Sequence, residues 1–555
     1  MARIAVVDPE LCNPSKCQLE CIRDCPVNRT KKPCIELDES TKSIAIISEE
    51  LCTGCGICPK VCPFHAITIV NTVAPVEEKL IYRYGQNLFS LYGVALAKPG
   101  IFAVVGENGC GKSTNLKLIT GQLTPQNLYT KEVKSYFDNA DYSSIATKPQ
   151  ELSSKIKGVV GQLLKSVDEC GRLNELSKVL DLENLYQREF EQLSGGELQR
   201  VVIAAVLLRN KKTFIMDEPL AFLDYTYRIR LSNYLKEKFS DKQVLVVDHD
   251  LSLLSHFCES AYIVYGTPGA YGVVSQPYAV DRAINMFLDG FIQPENVRFR
   301  NSINYQNYIE QKKSDVSFIL PAMEFKKGDF TFSNPSSINL FKGEVIGIAG
   351  PNGTGKSSFC NELAKEFSVI CSLKPQLLSR SQFLAGSIIY PARESTWADN
   401  YLRQMSLLSL EFRPLDSISY GELQKLRILE SLIVPNASLF LLDEPTTALD
   451  APARIKLSKL LREKAESSSS TIIIVDHDLE FLYNTVDRLI IFEGNPSVNG
   501  KISGIYPKLT GISNLLSDFD LSYRLDSASK RLKLNKQGSV KDRKLKESGE
   551  FIQRE

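Results

Sequence analysis

A phosphate-cradling motif occurs twice in this chain, 244 residues apart, and each copy heads the same series of further motifs. Gly106-Glu107-Asn108-Gly109-Cys110-Gly111-Lys112-Ser113-Thr114 returns as Gly350-Pro351-Asn352-Gly353-Thr354-Gly355-Lys356-Ser357-Ser358, and both fit G-x4-G-K-[ST]. Apolar runs, Ile101 to Val105 and Val345 to Ala349, precede the loops, and helix-compatible segments follow them. Strand, loop and helix in that order is the setting the motif needs. The glycines let backbone N–H groups wrap phosphates, Lys112 and Lys356 neutralise the outer phosphates, and Ser113 and Ser357 can bind Mg²⁺. The duplication predicts an α/β fold with two nucleotide-binding halves.

Each half continues alike. Apolar strands end in Asp217-Glu218-Pro219 and Asp443-Glu444-Pro445. There an aspartate can hold the metal shell, and the next glutamate can orient and deprotonate a water. Leu193-Ser194-Gly195-Gly196-Glu197-Leu198-Gln199-Arg200 and Ile418-Ser419-Tyr420-Gly421-Glu422-Leu423-Gln424-Lys425 each open a helical pattern with serine at the N-cap, an end suited to a γ-phosphate. Asp248-His249-Asp250 and Asp476-His477-Asp478 close apolar strands further on, placing two of the four histidines to hydrogen-bond that phosphate.

Nine of the fourteen cysteines lie within the first 62 residues. The run Cys52-x2-Cys55-x2-Cys58-x3-Cys62-Pro63 has the spacing in which three thiolates bind one [4Fe–4S] cube and the fourth reaches another. One cluster then takes Cys52, Cys55, Cys58 and Cys25, the other Cys12, Cys17, Cys21 and Cys62, with Cys34 a non-ligand. Zinc is the competing reading, because C-x2-C pairs also bind it. Disulfides fit poorly with an N-terminus that has no secretory apolar stretch.

At roughly 150 residues per domain, 555 residues suggest three or four domains. No apolar run approaches the roughly 18 residues of a bilayer span. A net charge of +1 leaves nucleic acid neither favoured nor excluded.

Taken together, the motifs resemble those of the ABC ATPase domain, including the aspartate loops at Asp224 and Asp450 and glutamine loops at Lys148-Pro149-Gln150 and Lys374-Pro375-Gln376. With the cysteine runs in front, the chain resembles the class E ABC family, the RNase L inhibitor-type ribosome-recycling ATPases of eukaryotes and archaea. The resemblance implies two head-to-tail ABC-type domains behind an α+β ferredoxin-like domain with two [4Fe–4S] clusters. It implies the division 1–72 iron–sulfur domain, 73–295 first half, 296–315 hinge, 316–510 second half, and 511–555 second hinge and basic tail. Tyr84 and Phe89 are the implied adenine contacts. One ATP would lie among Gly106, Asn108, Gly109, Gly111, Lys112, Ser113, Thr114, Gln150, Asp217, Glu218 and His249, completed by Ser419, Gly421 and Glu422, and the aspartate loops at Asp224 and Asp450 would also contribute to nucleotide binding. The other would lie among Gly350, Asn352, Gly353, Gly355, Lys356, Ser357, Ser358, Gln376, Asp443, Glu444 and His477, completed by Ser194, Gly195, Gly196 and Glu197. Ser113, Gln150, Ser357 and Gln376 are the implied Mg²⁺ ligands; Glu218, His249, Glu444 and His477 are the implied catalytic groups.

The implied function is ATP-driven splitting of ribosomes after termination or stalling, with closure of the halves swinging the iron–sulfur domain. The implied partners are the small subunit and its RNA, a class I release factor or its stalled-ribosome paralogue, and initiation factors, for a cytoplasmic monomer without a membrane. The alternatives are an iron–sulfur ATPase of cluster transfer and an ABC-type DNA or transport ATPase.

Departures from the family pattern add further expectations. Tyr420 replaces a signature glycine, so crowding of the site containing Lys112 and unequal turnover at the two sites are expected. Pro219-Leu220-Ala221 alters the usual Pro-Ser. From Lys356 to Ser419 there are 63 residues, against 82 from Lys112 to Ser194, which suggests a trimmed helical subdomain in the second half. For the basic stretch Arg524 to Lys536 the resemblance implies a second hinge packed between the halves with cations available to ribosomal RNA phosphates, while the charge pattern of the last fifteen residues suggests a solvated tail.

Overall fold

A computed structural model describes residues 2–7, 11–37, 44–48, 51–72, 77–85, 88–150, 157–303, 305, 315–526 and 529–553. Residues 86 and 87 of the aromatic stretch, 304 and 306–314 of the expected hinge, 527 and 528 of the basic stretch and 554 and 555 of the tail lie outside the described residues.

The N-terminal region is built on two antiparallel pairs, Ala2–Val7 with Ile67–Thr72 and Ile35–Leu37 with Ala45–Ile47. Three short helices, Glu20–Arg23, Pro26–Arg29 and Ile57–Val61, carry cysteines or adjoin them. Cys21, Cys25, Cys34, Cys58 and Cys62 are buried with Ala5, Val7, Ile35 and Ile47. So small an apolar core is one that cross-linking groups commonly reinforce.

Each half then wraps one mixed sheet. In the first, the parallel centre runs Ser260–Thr267, Gly100–Gly106, Gln243–Val247, Thr213–Asp217, Ile145–Lys148; in the second, Arg488–Glu493, Val345–Ala349, Thr471–Val475, Leu439–Asp443, Cys371–Lys374. Strands covered on both faces read as continuous apolar runs, and every residue of Thr213–Asp217 and Leu439–Asp443 is buried. Parallel register sets Asp217 beside Val247 and Asp443 beside Val475, so the acidic pairs and the Asp-His-Asp turns emerge side by side. The loop helices start at Lys112 and Lys356, the signature helices at Gly195 and Tyr420.

The expected trimming lies elsewhere. Both halves keep two helices ahead of the signature, Val160–Val167 and Leu173–Leu180 against Gly386–Ala392 and Thr396–Gln404. What the second half lacks is the stretch between loop helix and glutamine strand, where the first half carries the helix Lys131–Asp138. A difference in motif spacing measures length without saying which side of the intervening strand it falls on.

The C-terminal residues are not a solvated tail. Tyr523–Leu525 pairs with Leu532–Leu534, the helix Val540–Glu547 follows with Asp542 buried, and Ile552 bridges back to Tyr523. Nor are all the basic groups available to RNA. Arg531 is fully buried, donating to the Leu251 carbonyl at 3.3 Å and pairing with Asp281, which also binds Lys533. Arg524 donates to Asn535 at 2.7 Å, whereas Lys530, Lys536, Lys541, Arg543 and Lys544 remain exposed. Tyr523 also hydrogen-bonds Tyr225 of the first half at 3.0 Å, while Lys546 pairs with Asp520 within the C-terminal stretch.

The N-terminal region rests on the second half. Phe64 meets Phe412 edge-on at 6.4 Å between ring centroids, and His65 stacks on the same ring at 6.3 Å.

Candidate nucleotide sites and cysteine centre

The phosphate loops hold the conformations their glycines permit. Gly109 and Gly353 lie at φ +78° and +77°, Gly111 and Gly355 at +99° and +90°, in the left-handed region. A Cβ on Gly111 would stand 2.7 Å from the Phe89 ring, and one on Gly355 equally close to Phe330. Phe330 is therefore the second-half counterpart of Phe89, missed in the sequence because no neighbouring motif repeats with it. Tyr84 is 45% exposed beside Phe89, its hydroxyl 3.4 Å from Thr114. Lys112 and Lys356 are buried and donate to carbonyls of their own loops, Lys112 to Gly106 at 2.8 Å and Lys356 to Pro351 at 2.7 Å. Ser357 hydrogen-bonds Asp443.

The halves meet through reciprocal contacts. The Asn108 amide donates to Asp450 at 2.8 Å and its side chain to the Ala448 carbonyl at 3.1 Å; Asn352 does the same to Asp224 at 2.9 Å and to Phe222 at 3.2 Å. A Cβ on Gly196 would lie 3.3 Å from the Asn352 side chain, and one on Gly421 would lie 3.5 Å from Asn108. Each signature therefore faces the other half's loop. Ser194 and Ser419 both cap their helices in boxes with Glu197 and Glu422. Tyr420 leaves that helix terminus unchanged, and a Cβ at the equivalent Gly195 would meet nothing within 4 Å. Tyr420 starts its helix at the same place as Gly195 starts the other, so a side chain is accommodated here without moving the terminus.

Around each acidic pair, Gln150 donates to Glu218 at 2.8 Å and Gln376 to Glu444 at 2.7 Å. His249 stands 3.5 Å from Glu218, and His477 stands 3.9 Å from Glu444. Burial pushes Asp217 up to about 6, helped by Glu218. Burial also pushes Glu218 up, but the close approach of His249 and the influence of Lys112 and Lys148 outweigh this and leave it below the ordinary value. Glu444 ends above the ordinary value through burial and the neighbouring Asp443. Burial, then Lys356 and Arg228, holds His477 well below its usual range. Two buried lysines missed in the sequence, Lys148 and Lys374, lie behind the acids; each was visible only as part of Lys-Pro-Gln.

The cysteines sort into two neighbourhoods. Burial pushes Cys21 up to about 12, followed by the influence of Cys62, Cys12 and Cys17; burial does the same to Cys58, followed by Cys52 and Cys55. The Cys34 thiol, also pushed up to about 12 by burial, sits against Cys25 and Cys52. Backbone N–H groups of Ala45, Ala5 and Gly54 point at sulfur, the first to Cys12 at 3.3 Å and the others to Cys52 at 3.4 Å, a feature that tunes cluster thiolates. Among the described residues no three Cys, His, Asp or Glu side chains converge as around one ion.

These features define a protein with two ATP-binding cassettes behind a 4Fe–4S domain. The family model for ABC transporter matches residues 93–221 and 333–447. That for "Possible Fer4-like domain in RNase L inhibitor, RLI" matches 2–33, and that for 4Fe-4S binding domain matches 45–68. The translation initiation factor rli1 of Schizosaccharomyces pombe is 35% identical, covering 100% of this chain and 99% of its own length. An uncharacterised ABC transporter ATP-binding protein of Methanocaldococcus jannaschii is 36% identical over 99% of this chain and 97% of its own. A structure solved as "Model of ribosome-bound archaeal Pelota and ABCE1" superposes with TM-score 0.93 at 36% identity, covering 100% of this chain and 99% of that one. The chain belongs to the RNase L inhibitor (ABCE1) family of ABC proteins. Among the described residues no helix is long and apolar enough to cross a membrane.

Proposed function

We propose that this chain hydrolyses ATP at two composite sites and uses their closure to split ribosomes into subunits after termination or stalling, in the cytoplasm. The reciprocal Asn108–Asp450 and Asn352–Asp224 contacts carry the reading, because they tie each phosphate loop to the other half. ATP held between a loop and the opposite signature favours the closed pair by its differential affinity for that state. Glu218 and Glu444 orient and deprotonate the attacking water; His249 and His477 contact the γ-phosphate; Ser419 with Gly421, and Ser194 with Gly195 and Gly196, bind it from across the interface. Mg²⁺ would be held by Ser113, Gln150 and Asp217, and by Ser357, Gln376 and Asp443, where it would neutralise phosphate charge. The five-part division at 72, 295, 315 and 510 remains our reading of the chain.

Two [4Fe–4S] clusters would be held by Cys12, Cys17, Cys21 and Cys62 and by Cys25, Cys52, Cys55 and Cys58, serving as rigid cross-links. Cys34→Ser is expected to keep the visible absorbance of both clusters, whereas Cys55→Ser loses that of one. The Phe64–Phe412 contact would couple the position of this domain to the second half. The small subunit and its RNA are the proposed partners, with a class I release factor or its stalled-ribosome paralogue and initiation factors. Support comes from the related structure solved on the ribosome with archaeal Pelota, and from another solved as a complex of an archaeal ribosomal stalk protein with an archaeal ribosome recycling factor. The test is gradient sedimentation of purified ribosomes with ATP and a release factor, comparing the full chain with one lacking residues 1–72. The full chain is expected to convert whole ribosomes to subunits and the shortened one not to; ATP turnover without subunit release by the full chain overturns the reading.

A further inference from the structure

Glu218 and Glu444 share an unusual backbone, with φ of +49° and +46°. A side chain bearing a Cβ disfavours this region, and such residues persist only where their surroundings hold them. The holders are the same in both halves. Lys148, 1% exposed, donates from Nζ to the carbonyls of Asp217 at 2.7 Å and Glu218 at 3.0 Å. Gln199 adds its side-chain amide to the carbonyls of Glu218 and Pro219, both at 3.0 Å. In the second half Lys374, also 1% exposed, donates to Asp443 at 2.7 Å and Glu444 at 3.4 Å, and Gln424 donates to Glu444 at 2.7 Å.

None of these bonds ends on a carboxylate. They grip the carbonyls on either side of the left-handed Cα, while the carboxylates face forward to Gln150 and Gln376. A buried ammonium is costly unless its protons are taken up, and an apolar residue of similar length would fill the same space without that cost. Two buried lysines, each repeated with its glutamine partner in independent copies of the motif, therefore point to geometry rather than packing. Without the grip, the peptide after each acid can relax to an ordinary φ, which swings the carboxylate away from the water it must orient.

We propose that Lys148 with Gln199, and Lys374 with Gln424, are positioning residues that set the backbone of Glu218 and Glu444 for hydrolysis. The proposal rests on the ATPase reading. Its test is steady-state and single-turnover ATPase in chains where one site has been silenced. In a Glu444→Gln chain, where the first site supplies the turnover, Lys148→Met is expected to lower kcat about 100-fold, the scale of an ångström-level misplacement. ATP KM should stay within about threefold, since an interaction used only in the transition state is lost. Lys148→Arg, which keeps donors, is expected to recover at least about tenfold of that loss. Joined to Glu218→Gln, Lys148→Met should add little, as groups acting through one residue are not additive. Lys374→Met should show the mirror pattern. Equal losses in both silenced chains, a loss seen only in KM, or no recovery by arginine overturns the proposal. If melting curves show that Lys148→Met does not fold, Gln199→Met is read by the same kcat, KM and additivity criteria. An unmodified chain without ATP turnover would overturn the ATPase reading instead.

Discussion

Glu218 and Glu444 end equivalent strands, share a left-handed backbone and receive a glutamine at 2.8 and 2.7 Å, yet their remaining partners differ. Thr447 donates to the second oxygen of Glu444 at 3.2 Å, where the first half has Ala221, which has nothing to donate. Thr446 anchors that turn to Asp476 through its hydroxyl at 2.8 Å; the first half has only the Leu220 amide, 3.0 Å from Asp248. His249 approaches its glutamate more closely than His477 does. One carboxylate is thus biased toward ionisation by a histidine, the other restrained by a hydroxyl and biased toward its protonated form. Duplicated motifs fix which groups meet, while the residues between them set how ready each group is. The substitution at Leu220-Ala221, more than Tyr420, is where the two sites part.

Silencing each base should give the largest effect. Loss of a general base costs about 10²–10⁴-fold at its own site, so Glu218→Gln and Glu444→Gln are expected to reduce total ATP turnover by unequal factors. Equal losses, with the same closed fraction trapped, would break the comparison. Next come the contacts between halves. Asp450→Asn and Asp224→Asn each remove a charged acceptor, a hydrogen bond of about 1.5–3 kcal/mol, and should raise the ATP concentration needed for closure roughly tenfold by fluorescence transfer between labelled halves.

The pH dependence should be smaller but sharper. Because Glu444 lies above the ordinary carboxyl value and Glu218 below it, falling pH protonates Glu444 first. The Glu218→Gln chain, working through Glu444, should lose turnover at a higher pH than the Glu444→Gln chain. Coincident acid limbs, or the reverse order, would refute the assignment. The smallest effect is expected of Ala221→Thr, which offers Glu218 the hydroxyl that Glu444 has. A neutral hydrogen bond is worth about 1 kcal/mol, so first-site turnover should change by no more than about fivefold, with its acid limb moving to lower pH, because a hydroxyl donor favours the ionised carboxylate as Thr447 does at Glu444.

Much of this architecture was legible because the motifs are local. Six or eight residues suffice to make a glycine-rich loop, a capped signature helix or an acid at a buried strand end, and the physical reasons travel with the residues. Cysteine spacing likewise marks an iron–sulfur region, although it did not place Cys34 against Cys25 and Cys52. The C-terminal stretch failed for a complementary reason. Arg531 and Lys533 look like solvated charges until Asp281, some 250 residues away, is brought beside them. Lys148 likewise needs the carbonyls of Asp217 and Glu218 to have a role, and backbone carbonyls leave no mark in a sequence.

By itself the sequence determined the two nucleotide-binding halves and the cysteine region ahead of them, since each depends on short-range geometry and on motifs that repeat; the pairing of loop to opposite signature was implied only by the family resemblance, and the contacts of Asn108 with Asp450 and Asn352 with Asp224 show it. Only the tertiary structure decided that the missing stretch of the second half lies before its glutamine strand, that Phe330 answers Phe89, and that the C-terminal residues fold back onto the first half. It also decided how the two glutamates differ. A carboxylate's readiness depends on burial and on charges delivered from distant segments, and these are known only once the chain has closed around it.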